Sequence, residues 1–535
     1  MADRIPHLRK QGSATQLLVD GQPFLILGGE LHNSSASSLE YMEPIWGRMV
    51  DLHINTVLLP ISWELLEPEE GSFDFTLVDG LLDGARRHGL RLILLWFGSW
   101  KNGMSSYVPA WVKRDTARFP RIALSDGSTL EVLSTLAAAN VEADARAFAA
   151  LMRHLAVVDA DQHTVIMAQV ENEVGVLGDS RDRSETANQA FQGPVPDRLL
   201  DYLEANLARL GPEVRERWTA AGARTAGSWE EVFGPGVETD ALFMAWTYAS
   251  YVDKVAAAGK VEYALPMFVN AWLSFDTQAP GSFPSGGPLP QVIDIWCAAA
   301  DHLDLLTPDI YQANFEEWCR RYTRNGSPLF IPEMRPGADG ARNVWYAIGQ
   351  HDALGTSPFA VDSLGVPGVQ ELIGGDPLTG PGDTPLARSY AVLDQLAPLI
   401  LEHQGTGAMA AFLLDKTTPR VVRQIGGYEL TIALDEVFHF KAELGYGLII
   451  AVGPDTFVGA GSGFRVAFRA LDVRAQKVGL IAVDEGVYRE GQWVAGRRLN
   501  GDEDDQGRMW RFSPYGISIE RCSVYRYSSI SGTVH

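Results

Sequence analysis

Eight short apolar runs, separated by helical patterns, constrain this sequence more than any other feature. Runs without polar alternation are typical of parallel strands that are buried on both faces. Eight such strands alternating with helices predict an α/β protein with a closed (β/α)8 TIM barrel rather than an open sheet. The runs are residues 24–30, 56–62, 92–98, 165–173, 266–272, 305–311, 328–334 and 359–365.

The sequence pattern changes at both ends of this region. Residues 1–23 are expected to form a polar leader and a hairpin, because two apolar stretches flank an Asp-Gly pair that is typical of tight turns. The barrel is expected over residues 24–403, with a long helical insertion at 176–265 that lies over the barrel mouth. Residues 404–535 contain strand-like runs separated by Gly, Asp and Pro, which predicts an appended C-terminal β-sandwich domain.

The composition argues against several classes of function. Acidic residues outnumber basic residues by 67 to 44, which leaves a formal net charge of −23 and argues against nucleic acid or an anionic membrane as a partner. No apolar stretch approaches the ~20 residues that a membrane span needs. The three cysteines are scattered, so neither a disulfide framework nor a zinc site is predicted. A neutral ligand is the simpler expectation.

The first residues, MADRIPHLRKQG, include basic side chains but no apolar segment of the kind that an export signal contains. At face value we expect a cytoplasmic protein. A periplasmic or secreted chain whose signal had been removed would have the same pattern. The C-terminal strands are expected to have a structural role, and they could also provide a surface for a homo-oligomer.

Acidic residues lie at the ends of predicted strands four and seven, which is where the reacting groups of such barrels lie. The fourth run closes in Glu171-Asn172-Glu173, and the seventh contains Glu333. Strands four and seven face one another across the mouth of an eight-stranded ring, so acids from the two ends are expected to converge. Paired carboxylates suit the hydrolysis of glycosidic bonds, which needs an acid for the leaving oxygen and a second carboxylate at the anomeric carbon.

The alternation of a regular strand does not decide between Glu171 and Glu173. Both side chains would point to one side of the strand, and Asn172 would point to the other. Because the acid and the Asn should both reach a sugar, we expect the strand to lose its regularity at this end. The residues alone leave open which of the two acids matters.

The two strand ends resemble those of the retaining glycosidases of clan A. In that clan an Asn-Glu pair closes strand four, with the Glu as general acid/base, and a Glu that ends strand seven is the nucleophile. Asn172-Glu173 and Glu333 match these positions. Over most of the barrel the sequence is similar to glycoside hydrolase family 35, the β-galactosidases, in a bacterial branch with a β-rich C-terminal extension. The stretches that carry this similarity are GGELHNSS, NTVLLPISWELLEPEEGSFDF, LWFGSWKNGMSSYVPAWVK, QVENEVG and FIPEM.

The resemblance implies a retaining exo-β-glycosidase, with a carbohydrate substrate and no cofactor. The expected activity is that of a β-galactosidase, which removes terminal β-D-galactosyl residues from oligosaccharides or polysaccharide side chains by double displacement. Glu173 would protonate the leaving oxygen and then deprotonate water, and Glu333 would attack the anomeric carbon.

Further residues at the strand ends are candidates for substrate binding. Asn172 would bond to the sugar 2-hydroxyl, Tyr311 would donate to Glu333, and Glu30 would accept bonds from sugar hydroxyls. Tryptophans offer flat apolar faces to a pyranose, although each could equally pack in the core. The candidates of this kind are Trp96, Trp100 and Trp272.

Three segments depart from the family pattern and leave the sugar open. Residues 63–68 read WELLEP, which is closer to the related family 42 of β-galactosidases, while WFGSWKN follows the third strand and MRPG follows Glu333. A β-glucosidase or β-arabinosidase is therefore an alternative. A non-catalytic carbohydrate-binding protein is the alternative from another class, but binding alone does not need both acids. Metal-dependent chemistry would need about three convergent ligands, and the run ends offer no such set, so no metal is expected.

Overall fold

An antiparallel three-stranded sheet is the first element of this computed structural model, whose described residues are 5–275, 277–366, 380–437, 440–472 and 476–528. Its strands are β1 (His7–Gln11), β2 (Ala14–Val19) and β3 (Gln22–Phe24). Asp20 and Gly21, between β2 and β3, both have positive φ, as a tight hairpin turn requires. Strand β1 adds a third strand to the hairpin that the sequence predicts.

Eight parallel strands form the closed barrel, in which each strand pairs with the next barrel strand in the chain and the last pairs with the first. The predicted (β/α)8 fold is confirmed. The barrel strands are β4 (Ile26–Glu30), β5 (Thr56–Ser62), β6 (Arg91–Lys101), β9 (Val165–Asn172), β10 (Met267–Trp272), β11 (Leu305–Ile310), β12 (Ile331–Met334) and β13 (Gly355–Pro358). Outside the barrel, β7 (Arg121–Ala123) and β8 (Thr129–Leu133) form a small antiparallel pair.

Helices surround the barrel and fill the long segment between β9 and β10. None of the helices in the described ranges has the length and apolar character needed to cross a membrane. The α-helices are α1 (Leu39–Asp51), α2 (Trp63–Leu66), α3 (Thr76–Arg87), α4 (Ala110–Arg114), α5 (Ala138–Val158), α6 (Glu185–Gln192), α7 (Asp197–Asn206), α8 (Pro212–Ala220), α9 (Trp229–Phe233), α10 (Val237–Glu262), α11 (Ile293–Ala299), α12 (Phe315–Tyr322), α13 (Ala338–His351) and α14 (Pro385–His403). The 3-10 helices are Ser35–Ser37, Arg324–Gly326, Val361–Ser363, Pro381–Asp383 and Gly501–Glu503.

The eighth barrel strand lies earlier in the chain than predicted. Strand β13 has the sequence GTSP, which contains no apolar run, yet all four of its residues are buried. The predicted residues, 359–365, instead include a 3-10 helix. Pairing with β4 and β12 fixes the position of β13, and the Tyr390 hydroxyl donates to the Thr356 carbonyl at 3.1 Å.

The C-terminal region forms an antiparallel sheet of six strands, one of four strands and one of two strands. Buried Phe412, Phe464 and Trp510 belong to the apolar core of this region. The strands are β14 (Met409–Leu414), β15 (Arg420–Ile425), β16 (Tyr428–Leu434), β17 (Glu436–Val437), β18 (Phe440–Lys441), β19 (Gly445–Gly453), β20 (Thr456–Ser462), β21 (Phe464–Ala470), β22 (Gln476–Arg489), β23 (Gln492–Leu499), β24 (Trp510–Phe512) and β25 (Ser518–Ser528). The six-stranded sheet has the order β14-β19-β20-β25-β22-β23, the four-stranded sheet has the order β15-β16-β21-β24, and β17 pairs with β18.

Helix α13 packs the barrel against the C-terminal sheets. A Cβ on Gly349 of this helix would lie 2.8 Å from Cβ of Ala411 and 3.1 Å from Cβ of Leu448. Ala411 and Leu448 belong to the same apolar cluster as the helices around the barrel. Part of the C-terminal region therefore belongs to the same apolar cluster as the barrel, while the rest has a core of its own.

Candidate active site

Two residues at the end of strand β9 have a left-handed backbone, one inside the strand and one directly after it. Glu171 has a φ of 64° and Glu173 a φ of 46°, values that residues other than Gly, Asn and Asp rarely adopt. This conformation interrupts the alternation of the strand, so Asn172 and Glu173 are not forced to opposite faces. The loss of regularity occurs where the sequence predicts it, and backbone strain of this kind is concentrated at functional sites.

Three carboxyl groups from different strands converge at the C-terminal end of the barrel. One oxygen from each of Glu173, Asp309 and Glu333 lies within 4.8 Å of the other two, and all three residues are buried. Asp309 and Glu333 are direct partners in the parallel pairing of β11 with β12. The expectation that no three carboxylates converge is therefore wrong. Within the described residues, this is the group of acids whose spacing would also admit a metal ion.

Glu173 is 4% exposed and is held by two asparagines. The amide of Asn102 donates to Oε2 of Glu173, and the backbone N–H of Glu173 donates to Oδ1 of Asn270 at 2.9 Å. Burial and then the charge of Glu333 raise the pKa of Glu173 to about 7, although Lys101 acts in the opposite direction. Glu173 can therefore hold a proton near neutral pH.

Glu333 lies beside Glu173 and is oriented by a phenol. The Tyr311 hydroxyl donates to Oε1 of Glu333 at 2.5 Å. Burial and then the charge of Glu333 raise the pKa of Tyr311, so the phenol keeps its proton and acts as a donor. Among the described residues, Oε2 of Glu333 has no hydrogen-bond partner. Oε2 is therefore available to contact a ligand atom.

Lys101, the last residue of β6, places a positive charge within this group of acids. Its Nζ donates to Oδ1 of Asn172 at 3.0 Å, and its charge lowers the pKa of both Glu30 and Glu173. Nδ2 of Asn172 is buried and has no partner in the described structure. The amide therefore keeps a donor for a ligand.

Glu30, at the end of β4, is a fourth buried acid in the group. Burial, followed by the charge of Glu333, raises the pKa of Glu30 well above its usual range. Its Oε1 has no partner among the described residues. A neutral carboxyl can donate one hydrogen bond and accept others, which suits a sugar hydroxyl.

The three candidate tryptophans have different environments. Trp96 and Trp100 are fully buried, and the ring of Trp100 packs edge-to-face on Tyr248 and Tyr251, with centroids 4.9 and 4.5 Å apart. The predicted sugar contact does not fit this burial, so these two tryptophans are core residues. Trp272 closes β10, is 40% exposed and offers an accessible face.

Sequence patterns do not single out three residues of the site, namely Lys101, Asn102 and Asp309. The predicted third strand stops at Gly98, whereas β6 continues to Lys101. An Asn-Gly pair marks the true end, because Asn102 and Gly103 have positive φ values of 52° and 67°. Asp309 precedes Tyr311 by two residues, so the two side chains lie on the same side of the strand. This spacing is a sequence feature that could have pointed to Asp309.

Two known families match parts of the chain. The family described as "Beta-galactosidase", glycoside hydrolase family 42, matches residues 36–247, and a "Domain of unknown function (DUF5597)" matches residues 386–511. The first match includes Asn172 and Glu173. Over these residues, the chain is similar to β-galactosidases. The family that matches is 42, which corrects the expected resemblance to family 35 and agrees with the WELLEP segment at 63–68.

Known β-galactosidases align with part of the chain. One from Arthrobacter sp is 28% identical over 262 residues, which cover 46% of this chain and 35% of that protein. One from Xanthomonas manihotis is 28% identical over 177 residues, which cover 31% of this chain and 26% of that protein. The chain thus spans about a third or less of the length of these relatives. A solved β-galactosidase structure from Bacillus circulans sp. alkalophilus gives a TM-score of 0.47 at 15% identity, over 71% of this chain and 57% of that chain.

Proposed function

We propose that this protein is a retaining exo-β-glycosidase that acts on terminal β-galactosyl residues. The observation that carries the proposal is the spacing of Glu173 and Glu333, which have carboxyl oxygens within 4.8 Å of one another. Retaining glycosidases hold their two carboxyls about 5–5.5 Å apart, whereas inverting enzymes need about 6.5–9.5 Å to admit a water molecule. The short gap favours direct attack by a carboxylate.

In the first step, Oε2 of Glu333 attacks the anomeric carbon while Glu173 protonates the leaving oxygen. The bond from the anomeric carbon to the leaving group breaks as the bond to Glu333 forms, and the proton of Glu173 leaves with the departing alcohol. Glu173 can supply that proton because burial and the charge of Glu333 raise its pKa to about 7. Tyr311 orients Glu333 for the attack.

In the second step, the same pair hydrolyses the glycosyl-enzyme. Glu333 loses its charge when it forms the ester, and that charge is one of the causes that raise the pKa of Glu173. The pKa of Glu173 therefore falls once the intermediate forms, so Glu173 becomes the base that deprotonates the incoming water. One residue thus serves as acid and base in turn.

The residues around the two acids can bind a pyranose. Nδ2 of Asn172 and the carboxyl of Glu30 are buried groups with free hydrogen-bonding capacity among the described residues, and the ring of Trp272 can stack on the apolar side of a sugar. Unpaired buried polar groups are costly unless a ligand satisfies them. Their positions near Glu173 and Glu333 support a sugar-binding role.

The galactosyl preference is supported by the match to family 42 and by the names of the relatives. The test is a panel of aryl β-glycosides that share one leaving group and differ in the sugar, with initial rates and the first-formed product anomer measured by NMR. We expect the β-galactoside to react fastest and to release the β-anomer first. If a β-glucoside or β-arabinoside reacts faster, the proposed sugar preference is wrong. If the α-anomer is released first, the retaining mechanism is wrong. If no β-glycoside is hydrolysed, the proposed activity is wrong.

A further inference from the structure

Glu171, two residues before the proposed acid, contacts another carboxyl group. Its Oε2 accepts a hydrogen bond from the backbone N–H of Trp100 at 2.7 Å, whereas its Oε1 has no hydrogen-bond partner among the described residues. The carboxyl of Asp144 lies close enough to Glu171 for a hydrogen bond once one of the two groups is protonated. Both Glu171 and Asp144 are fully buried. Two ionised carboxylates in contact would repel each other strongly at such a site, so the pair requires a proton.

The hydrogen bonds around Asp144 identify which of the two carboxyls is ionised. Its Oδ1 accepts from Nε1 of Trp96 at 2.8 Å, and its Oδ2 accepts from the N–H and the hydroxyl of Ser99 at 3.2 and 2.5 Å. The Tyr251 hydroxyl donates to the same Oδ2 at 3.3 Å. Several donors on one carboxyl stabilise its charged form. Oε1 of Glu171 has no hydrogen-bond partner among the described residues, which leaves this oxygen to carry the proton.

The backbone leaves room for the two carboxyls to meet. A Cβ on Gly98 would lie 2.7 Å from Oε1 of Glu171 and 2.8 Å from Oδ1 of Asp144. Both oxygens therefore lie against the same glycine, which has no side chain to separate them. Burial, followed by the charge of Asp144, raises the pKa of Glu171 well above its usual range.

The contacts of Glu171 connect three elements of the barrel wall. Trp100 lies on β6, Asp144 on α5 and Glu171 on β9. The left-handed conformation of Glu171 is unfavourable for a glutamate, and such a conformation persists only when its surroundings hold it. Here the Trp100 N–H holds Oε2, and Oε1 is buried with no partner among the described residues.

We propose that Glu171 is a positioning residue: as a neutral acid it donates from Oε1 to Oδ1 of ionised Asp144, and this bond fixes the strand end that aims Asn172 and Glu173. The inference rests on the proposed function, because the reaction at Glu173 is what the positioning serves. It assigns a separate role to each acid of the Glu171-Asn172-Glu173 segment.

The activity test compares E171Q, E171A and D144N with the wild-type full chain on an aryl β-galactoside. The side-chain amide introduced by E171Q can reproduce both bonds, because its NH2 group donates to Asp144 and its carbonyl accepts from Trp100. We expect E171Q to keep most of the wild-type kcat/KM. E171A should lose about 100-fold, the cost of displacing a reacting group by about 1 Å. D144N should be impaired in the same way. The NH2 group of the new amide would face an N–H or O–H donor of Trp96 or Ser99, from which it cannot accept a hydrogen bond.

The proton assignment is overturned if E171Q is impaired as strongly as E171A. It is also overturned if D144N is tolerated while E171Q is not, because that pattern places the proton on Asp144. Normal activity of E171A with an intact fold would remove the positioning role.

An infrared measurement separates this inference from the proposed function. The difference spectrum between wild type and E171Q at neutral pH should contain the C=O stretch of a protonated carboxylic acid from the wild type. Absence of that band overturns the neutral Glu171, even if E171A and D144N do not fold. If the band is present but no β-glycoside is hydrolysed, the hydrogen-bond assignment is supported and the proposed activity is what fails.

Discussion

The phenol of Tyr311 donates a 2.5 Å hydrogen bond to one oxygen of Glu333, and the other oxygen has no partner among the described residues. Tyr311 directly follows β11, and Glu333 lies on β12, so the bond connects two neighbouring strand ends. The bond fixes the direction from which the second oxygen of Glu333 approaches a substrate. A carboxylate oriented in this way is suited to nucleophilic attack.

We expect E333A to lose at least about 10⁴-fold in kcat on aryl β-galactosides, because the covalent step is removed. Azide should restore part of the turnover by entering the vacated space, and the product should then be the α-galactosyl azide, which NMR identifies. Y311F is the graded control. It should lose about 10- to 100-fold, since a hydrogen bond to a charged group contributes about 1.5–3 kcal/mol. Undiminished hydrolysis by folded E333A would remove Glu333 as the nucleophile.

E173Q should discriminate between leaving groups. A good leaving group, such as a dinitrophenolate, needs little protonation, whereas an alkoxide needs much, so the loss in the first step should increase with the pKa of the departing alcohol. The measurement is a series of aryl β-galactosides of increasing phenol pKa, compared between wild type and E173Q. An equal loss across the series would argue against Glu173 as the acid.

The pH dependence follows from the raised pKa of Glu173. The acid must be protonated to act, and its pKa is about 7, so kcat/KM should fall as the pH rises through about 7. Because the charge of Lys101 lowers this pKa, K101M should move the alkaline limb to higher pH. K113M removes a lysine that pairs with Glu64 and serves as the control, with an unmoved limb expected. A shift of the K101M limb to lower pH would contradict the assignment.

Chelation should leave the activity unchanged, although three carboxyl oxygens lie within 4.8 Å of one another in Glu173, Asp309 and Glu333. Hydrolysis by an acid and a nucleophile does not require a metal ion. The measurement is kcat/KM before and after prolonged dialysis against EDTA, with the metal content checked by elemental analysis. Loss of activity that a divalent cation restores would point to metal-dependent chemistry in place of the double displacement.

G98A should destabilise the protein and impair catalysis together. The new Cβ would lie 2.3 Å from Nε1 of Trp96 and 2.7–2.8 Å from the paired carboxyls, so neighbouring atoms must move. Overpacking of this kind costs about 1–3 kcal/mol of unfolding free energy. G47A is the matched control, because nothing lies within 4 Å of its Cβ on helix α1 and an alanine there should stabilise by about 0.5–1 kcal/mol. Urea unfolding of both variants measures the difference.

The apolar runs predict most of the barrel because a strand buried on both faces must be apolar along its length. This holds for β5, where the predicted and observed bounds coincide, and for β9, which ends one residue earlier than predicted. It does not hold for β13, whose residues are small and in part polar but are nonetheless buried. The Thr356 hydroxyl can be buried there because it hydrogen-bonds within the fold, a compensation that a local apolar pattern cannot reveal.

The acids at the ends of strands four and seven could be identified from their position in the chain, but their surroundings could not. Lys101 and Asp309 lie on other strands, so only the closed ring shows that they act on Glu173. The burial of Trp96 and Trp100 is also a property of the packed fold, since a tryptophan near a strand end is compatible with either a ligand or the core. The spacing of residues along one strand does not show which side chains of other strands lie next to them in the fold.

The glycine at position 349 has a consequence for how this protein can be expressed. Helix α13 approaches Ala411 and Leu448 through that glycine, and its Trp345 ring lies 6.2 Å from the ring of Tyr446. A barrel expressed without residues 404–535 would expose the apolar face of this helix to water. The two regions match different families at 36–247 and 386–511, yet helix α13 packs against both, so we expect a truncation at that boundary to lower the solubility of the barrel.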